Sequence, residues 1–299
     1  MRHSASHRVA CRWGSMNRQT WEHWMNKTPK DNIVKLPDRR TMEKLMSGLA
    51  GPRDDTSLDQ AQQMIYDAWE AEDPAERIEL AEQALRISPD CADAWVLLAQ
   101  ESAVNLAQAM GYYQKGVEAG ERALGEPAFE QDKGYFWGLL ETRPYMRARS
   151  GLAQCLWEKG ERDAAIGHYQ EMLELNPNDN QGLRHLLLAC LLDEKRHAEA
   201  DQLIQAYSGE SSAVWCYSQA LLAFRREGDS EASRVFRKKA IDQNGFVPAY
   251  LAGRRKLPKY PPEYIGFGDR NEAVAYVFDN RPAWRDTPGA IPWLLKVKK

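Results

Sequence analysis

Apolar residues recur along the chain at the spacing of amphipathic helices, and the clearest example lies on either side of Gly160. Two stripes there have the 3.6-residue period of one helix face: Leu152, Ala153 and Leu156, then Ala165, Tyr169 and Met172. Gly160 can adopt the positive φ that ends the first helix, and Pro177 lacks the N–H needed to continue the second. Small residues let two helices approach within about 8–10 Å, so we expect Ala153 and Ala165 to meet in a helical hairpin.

The same order of small and large residues recurs before and after this hairpin. Three further stripes have the +4, +7 spacing: Ala109, Tyr113 and Gly116; Ala200, Ile204 and Tyr207; Ala232, Phe236 and Lys239. A weaker copy ends at Pro89, and Trp95 begins another first helix. These residues resemble the tetratricopeptide repeat (TPR). The resemblance implies an all-α fold, a TPR-like α-solenoid in which helix hairpins form a right-handed superhelix.

The rest of the sequence completes the predicted domain organisation. Residues 1–53 contain arginines but lack the apolar stretch of a secretory signal, and we expect them to be a disordered leader. Residues 54–257 are predicted to form the TPR-like helical repeats, interrupted by an insertion at residues 121–143. Residues 258–299 are predicted to form a helical C-terminal cap, because the last repeat of a solenoid has one uncovered face.

The cap also has recognisable local features. Asp269 can cap a helix running from Arg270 to Phe278, with Glu272 at the third position as in a capping box. Trp284 and Trp293 follow, and we expect them to cover the last helix pair.

Three strings of residues narrow the resemblance to one family: Ser88–Trp95, Asn244–Leu251 and Gly268–Tyr276. In this order they resemble the suppressor of tumorigenicity 7 family, especially its short bacterial relatives, over about residues 58–295. The resemblance implies a repeat protein with no established catalytic activity. Animal members of the family are membrane-anchored, but this chain has no matching hydrophobic segment.

Composition and charge exclude several classes of protein. The 299 residues are 43% hydrophobic and 28% charged, with a formal net charge of −3, which is typical of a folded chain and argues against a nucleic-acid partner. The longest apolar run, Leu186–Leu192, is too short to span a bilayer. The five cysteines are scattered, so we expect buried thiols in a reducing compartment and a cytoplasmic location.

Candidate binding residues are densest in the insertion and just after it. Trp137, Glu141, Arg143, Tyr145 and Arg147 combine aromatic rings with arginine donors, which suits a peptide carboxylate or a planar ligand. The alternative interpretation is a packed linker in which Trp137 fills a gap between repeats and Glu141 and Arg143 tie the loop to the next helix.

The TPR resemblance adds residues on the concave side, which its first helices line. In this register Arg147, Gln154, Arg184 and Arg225 point inward and could bind a peptide; ordinary solvated charge is the alternative. Acidic residues dominate 54–90 and basic residues dominate 225–259. This asymmetry suggests partner steering or self-association through opposite ends, unless both are simply solvated helix surface.

Motifs for catalysis or metal binding are absent from the sequence: there is no P-loop, no G-x-S-x-G and no Cys/His spacing typical of zinc. We therefore expect no catalytic residues, no metal and no cofactor. The sequence predicts a non-catalytic protein–protein interaction adaptor or scaffold that binds a peptide or partner helix in the concave groove. The alternative is an enzyme or regulatory subunit with a small-molecule pocket around residues 135–147.

Overall fold

The computed structural model describes residues 39–49, 56–262 and 264–296, and the regular secondary structure of these residues is all helical, with no strand. The all-α prediction is therefore confirmed for these residues. The helices are α1 Arg39–Leu49, α2 Ser57–Glu70, α3 Pro74–Ile87, α4 Ala92–Glu101, α5 Leu106–Leu124, α6 Glu126–Gln131, α7 Arg143–Lys159, α8 Arg162–Leu175, α9 Leu183–Asp193, α10 His197–Ala206, α11 Ala213–Glu227, α12 Glu231–Gln243, α13 Val247–Leu251, α14 Arg270–Arg285 and α15 Ala290–Leu294.

Contacts along the chain define two compact units, one ending at Gln181 and the other beginning at Gly182. The described residues of the first unit comprise α1 to α8, and those of the second comprise α9 to α15. The described part of the predicted cap, residues 258–262 and 264–296, thus lies in the same unit as α9 to α13. In that unit α14 packs against α9, α11 and α13.

The predicted leader contains a helix. Within residues 1–53, expected to be disordered, Arg39–Leu49 forms α1, which packs against α2. These eleven residues have an amphipathic face of their own, which favours a helix. The rest of the leader lies outside the described residues.

Small residues allow close packing in the first unit, as the sequence predicts. Gly160 has a φ of 94° and ends α7, so α8 folds back in contact with it. Ala153 on α7 and Ala165 on α8 are both fully buried. Helices α5 and α7 also approach closely, because a Cβ on Gly120 would lie 2.8 Å from the Cβ of Tyr145.

Part of the predicted insertion, residues 121–143, is helical in the structure. Helix α5 extends to Leu124, and the short helix α6 follows. The loop before α7 is fixed by the N–H groups of Gly134 and Phe136, which donate to the carbonyl oxygen of Leu175 at 2.9 and 3.2 Å. The buried Thr142 hydroxyl donates to the carbonyl of Phe136 within the loop.

In the second unit, Asp269 caps α14 as predicted, but Glu272 has a different role. The Asp269 carboxylate accepts the Glu272 N–H at 2.8 Å. The Glu272 carboxylate, 5% exposed, instead accepts the N–H groups of Ala213 at 2.8 Å and Gly268 at 2.7 Å, and the Asn244 side chain at 2.9 Å. The capping box is therefore incomplete, because its second carboxylate joins the starts of α11 and α14. Helix α14 continues past Phe278 to Arg285.

Candidate functional site

Two arginines on one face of α7 bind the same carboxylate. Arg143 and Arg147 are one helical turn apart, so their side chains lie on the same face. The two Nη atoms of Arg147 donate to Glu43 of α1 at 3.1 and 3.0 Å, and Nη1 of Arg143 lies 3.3 Å from the same carboxylate. The Glu43 side chain is only 4% exposed. An acidic residue of α1 is therefore held between two guanidinium groups.

Arg147 also binds a second carboxylate on its other side. Its Nε and Nη2 donate to Asp93 of α4 at 2.7 and 2.5 Å, and the Asp93 side chain has no exposure to solvent. Asp93 lies in the first turn of α4, where the helix dipole favours negative charge. The Gln62 amide donates to the same carboxylate at 3.0 Å. All the oxygens around Arg147 thus have a donor, which a buried ion pair requires.

Burial and charge act on Arg147 in opposite directions. Burial alone would lower the pKa of the guanidinium, but the nearby carboxylates of Asp93 and Glu43 raise its pKa above the ordinary value. Nearby, burial raises the pKa of the Cys91 thiol to about 12, helped by the negative charge of Asp93. Arg147 is therefore charged at every relevant pH, and Cys91 is a neutral thiol.

Two tryptophans flank the guanidinium groups. The Cζ atom of Arg147 lies 5.2 Å from the ring centroid of Trp69 and 6.0 Å from that of Trp137. The Cζ atom of Arg143 lies 5.5 Å from the Trp137 ring, and its Nε donates to the Trp137 carbonyl at 2.9 Å. Aromatic faces attract cations and exclude water, which strengthens the arginine–carboxylate interaction. We call Trp69, Trp137, Arg143 and Arg147 the arginine site.

The structure brings together three of the predicted binding residues: Trp137, Arg143 and Arg147. Tyr145 is buried elsewhere, packed against Phe129 and accepting a hydrogen bond from Arg149 at 2.7 Å. Glu141 is on the surface and Gln154 is half-buried on α7. Tyr145 thus packs within the first unit, whereas Trp137 lies beside Arg143 and Arg147; both sequence interpretations of the insertion stay predictions.

Arg184 and Arg225 lie in the second unit and are engaged there. Arg225 donates to the carbonyls of Leu192 at 2.7 Å and Ala283 at 2.9 Å, and to the Thr287 hydroxyl at 2.9 Å. Burial lowers its pKa. Arg225 thus satisfies carbonyls near the ends of α9 and α14.

Arg184 is paired with Glu210, whose carboxylate is only 11% exposed. The Arg184 Nη2 donates to Glu210 at 2.6 Å, and the Nε2 atom of His185 lies 3.4 Å from the same carboxylate. The nearby His185 ring and hydrogen bonding by Arg184 hold the pKa of Glu210 well below its usual range, although burial opposes the shift.

This shift predicts how stability depends on pH. A carboxyl group with a pKa lowered by folding contributes fully above its unfolded pKa of about 4.3, and the contribution is lost as pH falls towards the folded value. We expect Glu210→Gln to reduce the free energy of unfolding by about 2 kcal/mol at neutral pH, and by less near pH 3, where part of the contribution has been lost. Urea unfolding of the wild-type and Glu210→Gln chains at both pH values measures the difference in their free energies of unfolding. The same difference at both pH values would contradict the lowered pKa of Glu210.

The sequence did not identify Trp69 as a member of the arginine site, nor Glu43 and Asp93 as the carboxylates that pair with it. Glu43 falls in the predicted leader, and Asp93 looks like an ordinary acidic residue in the first turn of a helix. The one available clue was the i, i+4 pair of arginines after the aromatic insertion, since two adjacent guanidiniums require acidic partners when buried.

An open cleft in the second unit is a further candidate site in the described part of the chain. Its volume is about 430 Å³, and it is lined by Ser211, Cys216, Val235, Lys238, Lys239, Asp242 and Gln243. Among the described residues, no group of three His, Cys, Asp or Glu side chains is placed to hold a metal ion. Within the same ranges, no helix combines the length and the apolar character needed to cross a membrane.

The fold and the site define the class: a protein that is all-α over its described residues, with a buried arginine–carboxylate cluster in its first unit. A family model described as ST7 protein matches residues 52–298. The chain therefore belongs to the ST7 protein family.

Curated relatives extend the comparison to animals. The chain is 28% identical over 250 residues to "Suppressor of tumorigenicity 7 protein-like" of Rattus norvegicus, covering 76% of this chain and 44% of the relative. It is 26% identical over 254 residues to "Protein ST7 homolog" of Drosophila melanogaster, covering 77% and 47%. For "Protein ST7 homolog" of Caenorhabditis elegans the identity is 28% over 274 residues, covering 78% and 49%. The chain spans less than half the length of these relatives.

Proposed function

We propose that this protein is a non-catalytic adaptor whose arginine site binds a carboxylate carried by a helical segment of a partner protein. The observation that carries the proposal is Glu43. Its carboxylate lies between Arg143 and Arg147, beside two tryptophan rings, and it is supplied by a separate amphipathic helix. The chain's own α1 is then a model of how a partner helix binds.

The exposed surface of α1 supports exchange with such a partner. Met42, Leu45 and Met46 are 39%, 55% and 43% exposed, so part of the apolar surface of this helix remains uncovered. Lys44 of α1 also pairs with Asp67 and Glu70 on the surface of α2 at 2.9 and 2.8 Å. Surface ion pairs contribute little stability, so the buried Glu43 holds α1 more strongly than Lys44 does.

Because α1 already occupies the arginine site, a partner helix must compete with it. A segment of the same chain competes at an effective concentration in the millimolar range for a short connection. A partner must displace it, and its apparent affinity is reduced by the fraction of sites that α1 already occupies. The adaptor is therefore self-occupied until a partner with a better-fitting helix is present.

We also propose that the helix pairs are TPR-like repeats. The order small–large along α7 and α8, the full burial of Ala153 and Ala165, and the left-handed conformation of Gly160 support this. The alternative function, an enzyme or regulatory subunit with a pocket around residues 135–147, has less support. Its acidic candidate Glu141 is on the surface, and Tyr145 is packed into the core.

A peptide of residues 39–49 provides a test in trans. We expect the labelled peptide to bind the full-length Glu43→Gln variant at least about tenfold more tightly than the wild-type chain, because the variant no longer occupies its own site well. Fluorescence anisotropy measures both affinities.

Matched variants make this test specific. A peptide carrying glutamine in place of Glu43 should bind the Glu43→Gln chain about tenfold more weakly than the original peptide. Arg143→Gln, added to that chain, should also weaken binding, whereas Arg122→Gln on the exposed surface should not. Equal binding of the two peptides would refute the carboxylate site.

A further inference from the structure

The loop between α13 and α14 is the most exposed apolar segment of the second unit. Phe267 and Tyr264 are 79% and 71% exposed, and Tyr260 and Ile265 are each 45% exposed. Isolated apolar residues at a surface are common, but four within eight residues are not. The segment therefore requires an explanation other than packing within the unit.

The loop is anchored so that these side chains remain outside. The N–H of Gly266 donates to the Asp269 carboxylate at 3.1 Å, and the N–H of Gly268 donates to Glu272 at 2.7 Å. Phe267 lies between these two anchored residues. Pro258, Pro261 and Pro262 limit the backbone further along the loop, since proline fixes φ. Exposure of Phe267 thus follows from the way that its neighbours are held.

Basic residues lie beside the aromatic ones. Arg254, Arg255, Lys256 and Lys259 are exposed. Within the ranges that the structure describes, Arg254, Lys256 and Lys259 form no ion pair. The sequence from 254 to 269 has two acids: Asp269, which caps α14, and Glu263, which is not described. The loop therefore presents positive charge together with apolar side chains.

We propose that residues 254–260 and 264–267, the basic–aromatic loop, bind the surface of an anionic lipid bilayer. Tyrosine and phenylalanine side chains favour the interface between water and hydrocarbon, and lysines and arginines beside them are attracted to anionic headgroups. Single-stranded nucleic acid is also attracted to surfaces that combine basic and aromatic residues. The exposed aliphatic Ile265 favours lipid, because it has no ring on which a base can stack.

Vesicle sedimentation tests the proposal with the full-length chain. We expect binding to vesicles of phosphatidylcholine and phosphatidylserine in about a two to one ratio, and little binding to phosphatidylcholine alone. The double variant Tyr264→Ser/Phe267→Ser should reduce binding by at least about tenfold through lost apolar burial. Lys256→Gln/Lys259→Gln should reduce it by about tenfold or more at low salt.

Controls use residues of similar exposure elsewhere. Tyr135 is 69% exposed in the first unit, and Lys238 has a 70% exposed side chain in the second. Tyr135→Ser and Lys238→Gln should leave vesicle binding unchanged, and all variants should keep the wild-type unfolding midpoint. Absence of vesicle binding, or full binding by Tyr264→Ser/Phe267→Ser, would overturn the proposal. So would tighter binding of a single-stranded RNA that depends on the same residues.

Discussion

Replacing Arg147 with methionine is expected to lower the free energy of unfolding by about 3–5 kcal/mol. The substitution leaves the carboxylate of Asp93, which has no exposure to solvent, and that of Glu43 without their shared cation. Methionine retains much of the packing between Trp69 and Trp137, so the loss comes mainly from uncompensated buried charge. Urea denaturation followed by circular dichroism measures the change.

Two further variants separate this effect from a general loss of charge. Arg122→Met removes an arginine paired with Asp90 at 2.7 Å on the surface of the same unit, and it should cost at most about 1 kcal/mol. Adding Asp93→Asn to Arg147→Met should recover part of the lost stability, because the amide is neutral. A cost for Arg147→Met no larger than that for Arg122→Met would contradict the buried cluster.

Replacing Gly151 with alanine is the second change with a large expected effect. A Cβ at this position would overlap the Tyr113 ring across the contact between α5 and α7, with Cδ1 only 2.5 Å away. Because Tyr113 is 2% exposed, its ring has little room to move. We expect a cost of about 1–3 kcal/mol in the free energy of unfolding, despite the higher helix propensity of alanine.

Gly167 is the matched control for this substitution. It lies within α8, and a Cβ there would meet nothing within 4 Å. Gly167→Ala should therefore raise stability by up to about 1 kcal/mol through helix propensity alone. If both substitutions raise the unfolding midpoint equally, the close approach of α5 and α7 is wrong.

Much of the local structure could be predicted because it depends on residues close in sequence. The hairpin around Gly160, the burial of Ala153 and Ala165, and the cap at Asp269 all follow from periodicity and helix-end chemistry. Each of these features is specified by residues within one or two helical turns.

The partners of the arginines could not be predicted because they come from distant parts of the chain. Arg147 meets Glu43 and Asp93 across sequence separations of 104 and 54 residues. Periodicity carries no information on such pairings. The prediction that Arg184 and Arg225 line a groove treated arginines as surface donors, whereas the structure uses their donors to satisfy Glu210 and helix-end carbonyls. Burial of the neighbouring acceptors decides between these roles, and it depends on tertiary packing.

We propose that Glu43 is an exchangeable occupant of the arginine site, and amide hydrogen exchange of α1 tests this most directly. A peptide of residues 39–49, added in excess to the wild-type chain, should speed exchange in Arg39–Leu49 of the chain as α1 is displaced. Protection in α7 should be unchanged, because the site remains occupied. Peptide binding with no change in the exchange of α1 would show that the peptide binds elsewhere and would contradict the account.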